Sequence, residues 1–131
     1  MRFLDTDVMI DILRGYLPAV SWLTSLDEDN APALPGYVVM ELLTWKGIKN
    51  KEGLHRLYDI LAEFVIFWPS VDACSLAMEV VYQKYLSHAV APFDALIAEC
   101  AREYGATLCT FNRKHYDCIE GLVTEQPYSK E

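Results

Sequence analysis

Hydrophobic positions along this chain fall into short continuous runs and longer stretches with helical spacing. Residues 2–5 (Arg-Phe-Leu-Asp) are a brief apolar run ending in an acid and predict a short strand. Val8 with Ile12, and Met9 with Leu13, stand four apart, which predicts a helix over 7–14 that Gly15 stops. A second helix is expected from Leu17 to about Leu26, with Pro18 in its first turn and Asp27-Glu28-Asp29-Asn30 closing it as a polar loop. The two prolines of "APALP" limit any strand there to a few residues. Val38, Leu42 and Trp45 predict a helix over 37–45; "KGIKNKEG" interrupts, and Leu54 to about Glu63 is helical again. "FVIFW" is continuous and β-prone, the pattern of a buried strand in a parallel sheet. Ser70 or Asp72 caps a long helix reaching Leu86. After "SHAVAP", Leu96, Ile97, Cys100, Ala101 and Tyr104 share one helical face, with Gly105 just past its end. "TLCTF" is the next strand and "LVTEQP" a last edge strand.

Strands separated by helices predict an α/β three-layer sandwich, a short, mostly parallel sheet with helices on both faces. In such folds ligands bind beyond the carboxyl ends of the strands, which directs attention to Asp5 after the first strand and to Thr110 and Asn112 after the "TLC" strand. With 131 residues, 53% of them hydrophobic, the chain is expected to fold as one domain over 1–131. No apolar run reaches the ~18–20 residues of a membrane span. Asp5 interrupts the N-terminal apolar run too early for a secretory signal, so a cytoplasmic protein is expected. Cys74, Cys100, Cys109 and Cys118 form no paired spacing and read as reduced, mostly buried thiols. A net charge of -8 argues against broad electrostatic binding of nucleic acid, yet leaves room for a local basic rim around an acidic site.

Each acid has an ordinary reading. Glu41 lies among Tyr37, Val38 and Trp45 at helical spacing, and can keep its head in water at the edge of that stripe. Asp94 opens a helix, where a cap or first-turn acid is favoured by the helix dipole. Asp7 reads equally as a first-turn acid or a site residue, and Asp11 as a surface residue. Asp5 is harder to dismiss, because a strand-end acid faces the crevice where sites form. Taken together, Asp5, Glu41 and Asp94 are hard oxygen donors at element ends or on a buried-looking face, a set that suits Mg2+ or Mn2+.

"FLDTDVMIDILRG", "YVVMELLTWKG" and "DALIAECAREYGATLCTFNRKHY", in that order, resemble the PIN domain, and most closely its VapC-type toxin ribonucleases. The resemblance covers nearly the whole chain; no single motif is specific, but the ordered set is more so. It implies a PIN-like sandwich and matches Asp5, Glu41 and Asp94 to the family's three acidic metal ligands. Thr6 and Thr110 match supporting threonines, and Asn112 falls where many members carry a fourth acid and others Asn. Asp7 departs from the Asn or Ser usual there, and Asp117 is out of register with the motif. Arg14 matches a basic residue able to meet a phosphate, and is otherwise an ordinary solvated Arg; Lys46, Lys49, Lys51, Arg113 and Lys114 are similar candidates. His115-Tyr116 resembles a pair that packs behind the site, while His55 and His88 lack zinc-ligand spacing. The implied activity is Mg2+- or Mn2+-dependent cleavage of RNA with a 5′-phosphate product. The implied partners are an antitoxin peptide in the acidic groove and a second copy in a homodimer.

Another enzyme class, a phosphoacceptor receiver domain and a non-enzyme compete. Haloacid dehalogenase-like phosphatases open with a strand and Asp-x-Asp, which "FLDTDVM" satisfies, but they need a later Lys and an acidic pair. That reading also leaves Glu41 and Asp94 unexplained. A receiver domain needs an acceptor Asp at a strand end, and Asp72 lies too far past "FVIFW". A catalytically silent PIN binding module is the third alternative.

Overall fold

The computed structural model describes residues 1–130. Five short strands form an all-parallel sheet: β1 (Arg2–Leu4), β2 (Pro32–Pro35), β3 (Val65–Phe67), β4 (Thr107–Cys109) and β5 (Thr124–Glu125), in the order β3-β2-β1-β4-β5. Phe3 sits opposite Ala33 on one side and Leu108 on the other, so β1 is central. Helices flank the sheet: α1 (Thr6–Leu13), α2 (Leu17–Ser25), α3 (Gly36–Thr44), α4 (Lys51–Leu61), α5 (Val71–His88), α6 (Pro92–Glu103) and α7 (Arg113–Tyr116). α1 packs on α2, α3 and α4, and α5 pairs with α6. Among the described residues no helix is long and apolar enough to cross a membrane.

The chain leaves β1 toward β2 and β3, then returns to add β4 and β5 on the other side of β1. Strand order therefore reverses between β1 and β4, and the crevice at their carboxyl ends is the expected place for a site. Fully buried Phe3, Leu4, Val8, Met9, Leu34, Ile97 and Leu108 join the sheet to the helices around this point. β2 tolerates its prolines because Pro32 is its first residue and Pro35 its last. Ser70 is the cap of α5, its Oγ accepting the Ala73 N–H at 3.1 Å.

Two expectations need correction. "FVIFW" is not a buried strand: β3 is the sheet edge, with Val65 63% and Ile66 38% exposed. A continuous apolar run does not encode which strand ends up outermost. Asp11 is not a surface residue: it is 8% exposed and held by partners from the end of the chain. α7 is an added single turn within the stretch read as following the strand.

Candidate active site

Asp5 follows β1 directly. Its N–H continues the ladder to Cys109 O at 3.0 Å, and it caps α1, Oδ1 accepting the Thr6 N–H at 2.9 Å. The same turn thus ends the central strand and aims the carboxylate into the crevice. Across the switch point, Thr110 donates its hydroxyl to Asp5 Oδ2 at 2.8 Å. That hydroxyl also accepts the Asn112 N–H at 3.0 Å, which fixes its orientation. Thr6 donates its own hydroxyl to Glu41 Oε1 at 2.6 Å, tying α1 to the middle of α3. Asp94, in the first turn of α6, accepts the Ala91 N–H at 3.1 Å through Oδ2, and His115 Nδ1 lies 4.0 Å from that oxygen. Asp7 accepts the Val8 N–H at 2.8 Å and the Phe111 N–H at 2.9 Å, one on each oxygen.

The electrostatics join these acids into one pocket. Burial, with Asp7 nearby, pushes the Asp5 carboxyl up to about 7 against the hydrogen bonds of Thr110, Thr6 and Tyr116. Burial raises Asp7 also, against the Phe111 and Val8 N–H groups and Lys130. Glu41 is raised by burial and by the charges of Asp94 and Asp7, and lowered by Thr6. Tyr116 is buried and its phenol is held well above the usual range by that burial and by the charges of Asp5, Asp94 and Glu41. Three carboxylates, Asp5, Asp94 and Glu41, therefore act on Tyr116, and the charge of Asp7 bears on Asp5 and Glu41. Glu41 Oε2 and Asp94 Oδ1 accept no hydrogen bond among the described residues.

The structure brings Asp5, Thr6, Asp7, Glu41, Asp94 and Thr110 together; Asn112 contributes its backbone N–H, and its side chain is exposed. Arg14, Lys46 and Arg113 are exposed, and among the described residues none pairs with these acids. Arg14 lines a notch of about 340 Å³ with Asp11, Tyr16 and Lys130, and Arg113 Nε reaches Thr124 Oγ1 at 3.3 Å. Asp117 is exposed behind α7. Tyr116 is buried beside Asp5, Asp94 and Glu41, in keeping with a side chain that packs behind the site. A cleft of about 580 Å³ between α5, α6 and residues 118–121, floored by the Glu99–Arg102 pair at 2.8 Å, contains none of these acids.

Solved structures share this architecture. A toxin-antitoxin complex from Klebsiella pneumoniae aligns with a TM-score of 0.78 and 23% identity, covering 99% of this chain and 100% of that one. VapBC2 from Rickettsia felis, bound to a DNA fragment from the promoter, aligns at 0.77 and 22%, covering 95% and 96%. FitAcB from Neisseria gonorrhoeae aligns at 0.70 and 19%, covering 97% and 98%. No curated protein matches the sequence. A family model for the PIN domain matches residues 2–119, nearly the whole of the fold that builds the acidic pocket, and the chain belongs to that family.

Proposed function

We propose that this chain is a metal-dependent endoribonuclease, the toxin of a toxin–antitoxin pair acting in the cytoplasm. The observation that carries the reading is the convergence of Asp5, Glu41 and Asp94 on Tyr116, at the switch point of a PIN domain. All-oxygen donors suit Mg2+ or Mn2+, and a divalent cation would relieve the repulsion among these acids; among the described residues no three His, Cys, Asp or Glu side chains already stand grouped as a metal site, so the fit rests on the chemistry of the donor set. Asp5, Glu41 and Asp94 would hold it. When bound, the ion supplies an activated water and neutralises charge on the scissile phosphate.

The chain's own groups do the rest. Thr110 and Thr6 hold the Asp5 and Glu41 carboxylates by donating their hydroxyls to them, so the ligands are set before substrate arrives. Asp94 keeps one oxygen on the Ala91 N–H and presents the other to the pocket. The exposed Arg14, Lys46 and Arg113 are available to RNA phosphates. The 3′-oxygen leaves and the product carries a 5′-phosphate. The likeness to VapBC and FitAcB structures supports an antitoxin peptide seated in the acidic groove. The half- to fully exposed Met78, Tyr82, Tyr85 and Leu86 on α5 support a homodimer.

The test is cleavage of single-stranded RNA with Mg2+ or Mn2+, with and without chelator, beside a small phosphate ester. Chelator-sensitive RNA cleavage with no ester turnover supports the reading. Ester hydrolysis that needs Asp5 and Asp7 but survives Asp94→Asn would favour a phosphatase, and RNA binding without cleavage a silent binding module.

A further inference from the structure

Two acids of α1, Asp7 and Asp11, lie outside the set assigned to a metal, and the segment after β5 reaches toward both. Tyr128 donates its hydroxyl to Asp11 Oδ2 at 2.7 Å, and Lys130 Nζ lies 3.0 Å from the same oxygen. Asp11 is buried, so these two groups replace the solvent its charge has lost. Both residues also converge on one ring. Tyr128 meets Phe111 edge-on with centroids 4.9 Å apart, and Lys130 Nζ stands 4.2 Å from the Phe111 centroid. Trp22 lies behind Tyr128, centroids 6.1 Å apart.

Phe111 directly follows Thr110, the residue that donates to Asp5. The Phe111 N–H is held by Asp7 Oδ2, while the Thr110 N–H donates to Glu125 O at 3.0 Å, where β5 ends and the segment begins. The Thr110–Asn112 turn is therefore gripped on the backbone by Asp7 and β5, and on the Phe111 ring by Tyr128 and Lys130. Asp7 has one oxygen on each of two backbone N–H groups, a use of the carboxylate that orients main chain.

We propose that residues 126–130 form a strap that fixes the Thr110–Asn112 turn, and that Asp7 is a positioning residue for that turn and no metal ligand. The strap seats the Phe111 ring, Asp7 seats the Phe111 N–H, and the turn so held sets the Thr110 hydroxyl on Asp5. The consequence for catalysis rests on the nuclease reading above; the structural claim does not.

The test reads the Phe111 amide by hydrogen exchange, without RNA or metal, alongside kcat and KM for RNA cleavage. Tyr128→Ala speeds Phe111 exchange at least tenfold and lowers kcat about tenfold at little-changed KM. Asp7→Ala does the same, and Asp7→Asn, whose one amide oxygen can accept only one of the Val8 and Phe111 N–H groups, restores part of the lost protection and rate relative to Asp7→Ala. Ser70→Ala, which removes the α5 cap instead, leaves Phe111 exchange unchanged well below its Tm. Phe111 protection that survives Tyr128→Ala or Asp7→Ala overturns the proposal. A chain that cuts no RNA refutes the nuclease reading, and the exchange data still decide the strap.

Discussion

Asp5 carries the largest electrostatic cost in the pocket, and its pH dependence has a definite sign. Its carboxyl stands at about 7 in the folded chain against an ordinary 3.8. Between those values the folded state keeps a proton that the unfolded state releases, so the site's contribution to stability falls as pH rises through that window. Thermal melts of metal-free protein from pH 4 to 8 should show this loss, and Asp5→Asn should flatten it. The same variant should be more stable than wild type at pH 8, by on the order of 1–3 kcal/mol. Thr6 acts in the opposite direction on its partner, because its hydroxyl lowers the Glu41 carboxyl. Thr6→Val should therefore move the acid limb of the pH–rate profile for RNA cleavage upward, at a stability cost of about 1 kcal/mol. An unmoved limb would mean that Glu41 titration does not govern the rate.

The elements deliver these residues through junctions. α3 carries Glu41, and it begins at Gly36, where an added Cβ would lie 2.3 Å from Trp68 Cε2. Gly36→Ala should drive the half-exposed Trp68 ring outward, red-shift its fluorescence and cost about 1–3 kcal/mol. Unchanged emission would show that α3 shifts instead. Most elements were legible in the sequence because their signals are local. Periodicity marked α1, α3 and α6, Ser70 marked the start of α5, and Gly15 at φ +72 closes α1 as expected. β3 was misjudged for a reason of the same kind. Its apolar run is local information, but its place at the sheet edge depends on strand order, which no window of sequence contains.

At the scale of the whole molecule, the acids at strand and helix ends were legible because the crevice of a reversing parallel sheet collects them. Asp5 and Thr110 meet over 105 residues, and Thr6 and Glu41 over 35. The roles of Asp11 and Tyr128 were hidden, because their hydrogen bond spans 117 residues and Tyr128 lies outside every motif. Asp7 was ambiguous for the same reason: its deciding partner is the backbone of Phe111, 104 residues away.

The central claim, that Asp94 with Asp5 and Glu41 forms the metal-dependent centre of a ribonuclease, is tested most directly by single-turnover cleavage of end-labelled RNA in Mn2+, wild type against Asp94→Asn. The substitution is clean, since an Asn oxygen can still accept the Ala91 N–H and keep the start of α6 intact. The account predicts 5′-phosphate products from the wild type, abolished by chelator, and a rate at least 100-fold lower for a folded Asp94→Asn. Cleavage by Asp94→Asn at the wild-type rate, or wild-type cleavage that persists in chelator, would contradict it.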